Sequence, residues 1–365
     1  MSLDGRELNL LKEMSESFGP SGFEIETASI VKKAGGRFAD EVLKDKLGSV
    51  IFRLKGKAER PRVLLAGHID EVGFVITGID EKSGFLTFNP LGGWFDQVLL
   101  GQRVKIRTAK GDVVGVISSK PPHLLSPEER EKVVKLNQMF IDVGARNRET
   151  VEEELGVKVG DPVAPSAEFL TSISDKVVIG KAFDDRIGTF VGLQVMKMLR
   201  EAGIAHPNTL FMAATVQEEV GLRGAQTVSH VVDPDVAVVL ETDIAGDVPG
   251  IKQSEAPAKM GCGPSIITFD ASMIPNQPLK KLVMETAEEE GIKYQLSSVA
   301  RGGTDGGKFH LGRSGCPSIA ICVPTRHIHS HSALADVNDI EATSRLVVAL
   351  VRKLDESKVE SLTAL

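Results

Sequence analysis

The sequence predicts an α/β fold, with a mostly parallel central sheet carrying helices on both faces and interrupted by a small inserted β-domain. Continuous apolar runs at residues 209–216, 235–240 and 317–323 have strand length and suit strands covered on both faces. Helical periods alternate with them, above all at residues 184–201, where Ile187, Val191, Leu193, Val195, Met196 and Leu199 line one side. From residue 72 to about 165 the texture changes to short strand-like runs broken by glycine turns, with no long helical period.

Taken in order, Leu8, Leu10, Leu11, Met14 and Phe18 recur at helical spacing, and Gly19-Pro20 stops that helix before Ser21 caps a second one running to Lys33. Residues 41–54 and 62–69 read as strands, the latter ending in Gly67, His68, Ile69, Asp70 and Glu71. The insertion holds strand-like runs at 73–79, 85–91, 103–108 and 112–117, then SPEE at 126–129, a capping box with proline at the first helical position. It carries few clustered acids and histidines, so packing or assembly is its expected task, with His123 on a surface loop. Strand and helix alternation resumes at residue 177. The strand at 209–216 runs into Glu218 and Glu219, and that at 235–240 into Glu241. A helix at 279–290 is stopped by Gly291, and a last one closes the chain at 339–354. The expected division is a discontinuous α/β domain, 1–72 and 166–365, around a barrel-like insertion, 73–165.

Composition narrows the partners. The 365 residues are 42% hydrophobic and 25% charged, an ordinary globular balance. A net charge of -7 without a basic stripe argues against nucleic acid. Cys262, Cys316 and Cys322 are odd in number and form no C-x-x-C pair, which fits a reducing cytoplasm rather than a disulfide framework. The charged first residues lack the apolar core of a secretion signal, and no run of 18 apolar residues follows, so neither export nor a membrane span is expected.

Chemistry collects where strands end. Five places combine such an end with metal-competent side chains: His68 with Asp70, Asp184 with Asp185, Glu218 with Glu219, Glu241 with Asp243, and His329. Asp185 alone is explained as a helix cap, and adjacent glutamates alone as solvated loop acids. Together they form the set expected for two borderline divalent cations such as zinc, cobalt or manganese, one carboxylate bridging.

AGHIDEVGF at 66–74, GKAFDDRIG at 180–188, VQEEVGLRGA at 216–225, GGTD at 302–305, PTRHIHS at 324–330 and KPPHLL at 120–125 carry a resemblance. The chain resembles, over nearly its whole length, the glutamyl aminopeptidase/cellulase M family of dinuclear metallo-aminopeptidases, whose archaeal members assemble as tetrahedral particles. The resemblance implies a zinc-peptidase-like fold, with His68, Asp184 and Glu241 on one metal and Asp184, Glu219 and His329 on the other. It further implies Glu218 as general acid/base, Asp70 as the carboxylate orienting His68, and Gly302, Gly303, Thr304 and Asp305 as a loop beside a peptide substrate. Two divalent ions, zinc or cobalt before manganese, and dimers building to a dodecamer are implied likewise. Where Glu241 stands the family usually has Asp, which leaves Asp243 a rival two residues on. RHIH replaces the usual RYIH, so His327 and His331 compete with His329. Spacing favours Glu241 and the Ile-His-Ser match favours His329. N-terminal preference stays open among acidic, aliphatic and basic residues.

Three other readings compete. GGTDGGK at 302–308 fits a phosphate loop but is followed by Phe309 where Ser or Thr must reach magnesium. No G-x-S-x-G or H-E-x-x-H occurs. Paired carboxylates also cleave glycosides, yet Trp94 and Tyr294 are the only tryptophan and tyrosine, few rings for stacking sugars.

Overall fold

The computed structural model describes residues 3–172 and 176–364. Helices α1 (Gly5–Glu16) and α2 (Ile25–Gly36) open the chain, α1 capped by Asp4 in a box with Glu7. Ser21 does not cap α2, whose N-terminus lies at Glu24; its hydroxyl donates instead to Asp70 at 2.6 Å. The strand expected at 41–54 is a hairpin, β1 (Glu41–Lys44) and β2 (Val50–Leu54). The Asp45 carboxylate accepts the amides of Leu47, Gly48 and Ser49 at 3.0, 2.8 and 2.9 Å, the Asx geometry that turns a chain. Strand β3 (Arg62–His68) follows.

Next come β4 (Gly73–Ile79), β5 (Leu86–Leu91), β6 (Arg103–Thr108), β7 (Gly111–Ser118), β8 (Phe140–Asp142) and β9 (Pro162–Pro165). They close a barrel in the order β4-β5-β8-β7-β6-β9, filled by its own cluster, which includes Phe74, Ile106, Ile141 and Val163. Ser126 caps the short α3 (Pro127–Arg130) through the expected box with Glu129, and His123 is exposed.

The chain then returns through β10 (Leu170–Thr171), β11 (Val177–Gly180), α4 (Phe183–Glu201), β12 (Thr209–Thr215), α5 (Arg223–Val232) and β13 (Val236–Ile244). It ends with β14 (Ser265–Asp270), α6 (Gln277–Glu289), β15 (Gln295–Val299), α7 (Gly306–Phe309), β16 (Ser318–Arg326), β17 (Ala333–Asp336), α8 (Val337–Lys353) and α9 (Glu356–Ser361). The eleven-stranded sheet runs β1-β2-β12-β3-β13-β16-β17-β11-β10, with β14 beside β16 and β15 beside β14.

This sheet is mixed rather than mostly parallel. Strands β12, β3, β13 and β16 are parallel, as are β14 and β15, whereas both flanks and the β14–β16 pair are antiparallel. Short connections such as that from β16 to β17 turn the chain straight back, and a parallel neighbour would need a crossover too long for them. Side chains alternate between two cores along the central strands. On β12, Leu210, Met212 and Ala214 join the cluster under α4 and α8, while Phe211 and Ala213 join the one under α5 and α7. Among the described residues no helix is long and apolar enough to cross a membrane.

Candidate metal centre

The carboxyl ends of the four parallel strands meet at one place, opposite the N-terminal end of α4. His68 ends β3, paired in register with Thr215 at the end of β12, just before Glu218 and Glu219. Glu241 lies on β13 opposite Cys322 of β16, which leads to His329. Helix α4 comes this close because two positions lack side chains. A Cβ on Gly67 would stand 2.5 Å from the Thr189 amide nitrogen, and one on Gly188 2.2 Å from the Leu240 carbonyl oxygen. Left-handed backbone at Ala182, Gln217 and His329 aims the segments around them, strain of the kind held at functional sites.

Both imidazoles present Nε2 to Asp184. His68 Nδ1 donates to the Asp70 carbonyl at 3.1 Å, and its Nε2 lies 3.2 Å from Asp184 Oδ1. His329 Nδ1 donates to the Gly93 carbonyl at 2.6 Å, and its Nε2 lies 3.1 Å from Asp184 Oδ2. Asp184 thus sits between two histidines with one oxygen toward each. The adjacent glutamates are divided between them: Glu219 Oε1 lies 3.3 Å from His329 Nε2, Glu218 Oε2 3.7 Å from His68 Nε2. Glu241 Oε1 is 3.9 Å from His68 Nε2.

Asp70 organises this end of the sheet. Its fully buried carboxylate lies 3.4 Å from His68 Nδ1 and accepts the Glu218 and Glu219 amides at 3.0 and 3.2 Å as well as the Ser21 hydroxyl. One side chain therefore sets both the imidazole and the turn that parts the two glutamates. Asp70→Ala is expected to weaken metal retention about 10–100-fold, measured by chelator competition, because the ring and the turn lose their common anchor.

The rivals fall elsewhere. Asp243 is buried and accepts the Ser265 hydroxyl at 2.7 Å, away from both histidines' ring nitrogens. His327 is exposed, and His331 bonds the Arg103 carbonyl at 3.1 Å and stands by Trp94. Asp185 and Glu241 do group with His68, but both Asp185 oxygens accept backbone amides, those of His68 and Gly188, at 3.0 Å each, the capping role expected of it. Gly302, Gly303 and Thr304 line a cavity of about 1060 Å³ beside the cluster. Asp305 does not: it is buried beneath, with one oxygen accepting the Thr215 hydroxyl at 2.5 Å, because the turn into α7 directs it inward. Gly93 was missed by assigning the insertion to packing alone. Its sequence signal is the Gly92-Gly93 pair, where a Cβ on Gly92 would stand 3.1 Å from Glu219 Oε2.

The electrostatics are those of a site built for cations. Burial raises Glu218, Glu219, Glu241 and Asp185 above the ordinary carboxylate range, Glu219 to about 8, with neighbouring carboxylates adding to the effect. Burial would depress the imidazoles, but the facing acids outweigh it and lift His329 to about 10 and His68 well above its usual value. Burial also opposes ionisation of Asp184, yet His329 and His68 hold it well below the usual range. Glu219 Oε1 is buried without a hydrogen-bond partner, an oxygen that a cation would satisfy. Histidine nitrogen with carboxylate oxygen is the donor set of zinc, cobalt and manganese, so the residues present fit such ions.

A family model described as M42 glutamyl aminopeptidase matches residues 48–346. The chain belongs to this M42 family. A putative aminopeptidase FrvX of Escherichia coli K12 is 40% identical over 97% of both chains, and a lysyl aminopeptidase of Pyrococcus furiosus is 33% identical over 94% of this chain and 96% of its own. Among solved structures, the TET aminopeptidase of Thaumarchaeota archaeon SCGC AB-539-E09 superposes with a TM-score of 0.96 at 56% identity, covering 98% of this chain and 99% of its own. Pyrococcus horikoshii TET1 peptidase, which can assemble into a tetrahedron or a large octahedral shell, gives 0.83 at 32% identity over 95% of this chain and all of its own. As an M42 aminopeptidase the protein is a hydrolase of peptides, and the acidic and histidine groups of the central cluster could hold a metal ion.

Proposed function

We propose that the chain is a dinuclear aminopeptidase that removes N-terminal residues from short peptides. The observation carrying this reading is Asp184 standing between the Nε2 atoms of His68 and His329 at 3.2 and 3.1 Å, with Glu219 and Glu218 apportioned to different histidines. In it His68, Asp184 and Glu241 would hold one divalent ion and Asp184, Glu219 and His329 the other, zinc or cobalt before manganese. When bound, such ions polarise a peptide carbonyl and acidify water. The chain does the rest: Glu218 accepts the proton of the attacking water and returns it to the leaving amine. Asp70 and the Gly93 carbonyl hold the two imidazoles in the tautomer that exposes Nε2. Gly302, Gly303 and Thr304 wall the cavity against the peptide.

The test combines elemental analysis of the purified protein with hydrolysis of aminoacyl-nitroanilides, with and without chelator. Activity is expected to vanish on chelation and to return with zinc, cobalt or manganese; chelator-resistant hydrolysis would overturn the reading. An endo-glucanase is disfavoured because, among the described residues, no Trp, Tyr or Phe lines the cavity: Trp94 stacks on Phe74 at 4.9 Å in the barrel, and Tyr294 bonds Glu288 outside it. Nucleotide binding is disfavoured because the amides of Thr304, Gly307, Lys308 and Phe309 are spent on local partners.

Residues 1–72 and 166–365 are assigned to the catalytic domain and 73–165 to an inserted barrel that supports homo-oligomers, dimers that build toward a tetrahedral dodecamer, by likeness to the Pyrococcus horikoshii particle. All three cysteines are free, which supports a reducing, cytoplasmic setting.

A further inference from the structure

We propose that Asp243 determines specificity and that the cavity takes peptides whose N-terminal residue is basic, lysine or arginine. This rests on the aminopeptidase reading above. Asp243 follows Glu241 by two positions on β13, so both point to the same side of the sheet about 7 Å apart along the strand. That separation is about the reach of an extended lysine side chain. A peptide held by its first residue at the metal cluster therefore brings the end of that side chain to Asp243.

The surroundings favour a cation there. Asp243 lines the cavity at 2% exposure, with Ser265 donating to Oδ2 at 2.7 Å and the Ser297 hydroxyl bonding it from β15. Among the described residues no lysine or arginine forms an ion pair with it. Outside the metal cluster the cavity's other inward acid is Asp270, which accepts four bonds, from the Ser272 amide and hydroxyl, the Met273 amide and the Thr304 hydroxyl. Glu255 and Arg301 also line the cavity but stand exposed at its rim. Ile267, Val299 and Cys322 supply an apolar wall suited to an aliphatic stem. An acidic side chain at the base would face Asp243 directly, and an apolar one would strip water from the carboxylate and return no partner.

The test compares kcat/KM of the metal-loaded full chain on lysyl-, arginyl-, leucyl- and glutamyl-nitroanilides, for the natural protein and for Asp243→Asn and Asp243→Glu. The natural protein is expected to favour the basic substrates, and Asp243→Asn to lower the lysyl-to-leucyl ratio by about 100-fold, with Asp243→Glu recovering part of it. A purely structural Asp243 would lower all substrates together and leave that ratio unchanged, which overturns the proposal. So does a natural preference for glutamyl or leucyl substrate, which leaves the aminopeptidase reading intact. Inactivity on every substrate with metal bound overturns both.

Discussion

Glu218→Gln is expected to lower kcat by about 10²–10⁴-fold while metal content stays at the natural level. The amide keeps the size of the side chain and can still bond water, but it cannot take a proton from water or hand one to an amine. Glu219→Gln is the paired measurement. Its carboxylate lies 3.3 Å from His329 Nε2 and its Oε1 has no other partner, so the amide should cost bound metal before it costs turnover per bound metal. The separation arises from one turn: the amides of both residues are pinned by Asp70, and the left-handed Gln217 before them sends the two side chains apart. Equal metal loss in the two variants, measured by elemental analysis, would show that Glu218 is a ligand and would sink this division of labour.

Much of this centre is legible in the sequence. A strand buried on both faces must be apolar, so the place where 209–216 gives way to acids marks both the sheet's carboxyl edge and the chemistry there. The same logic exposed His68, Glu241 and, through the helix that follows it, Asp184. What escaped notice depends on long-range geometry. The sheet's antiparallel flanks hang on loop length and pairing partners, which local patterns do not encode. Helix α5 lacks a side-chain cap, so no capping residue marks its start in the sequence. Ser21 resembles a cap in sequence, yet Asp70 claims its hydroxyl. Gly93 works through a carbonyl, which every residue has, so only the neighbouring glycine betrayed a close approach.

Glu71→Gln is expected to destabilise the fold by about 3–5 kcal/mol, although the residue holds no metal. Both Glu71 oxygens lie 2.7 Å from Lys181 Nζ, and one is also 3.1 Å from Arg186 Nη2. All three side chains are buried, so two cations share a single carboxylate. Arg186 disperses part of its charge onto the carbonyls of Met14, Ser15, Ser17 and Ile69, thereby tying α1, β3 and α4 together. Burial already pulls Lys181 down to about 8, against the attraction of Glu71. An exposed ion pair would cost at most about 1 kcal/mol, so chemical denaturation separates the two cases clearly. The sign of the pH dependence follows from Lys181. Its folded value lies below the ordinary 10.5 of a lysine, so the penalty for burying its charge is fully present below the folded value and fades as pH rises toward 10.5. Glu71 holds the folded Lys181 value up, so its loss lowers that value further, and the variant should regain stability relative to the natural protein as pH rises toward about 8, with no further relative gain above it. Because Glu71 adjoins Asp70 and Arg186 adjoins Asp185, metal retention should fall along with stability. A variant that unfolds at the natural denaturant midpoint would show that this buried cluster does not brace the centre.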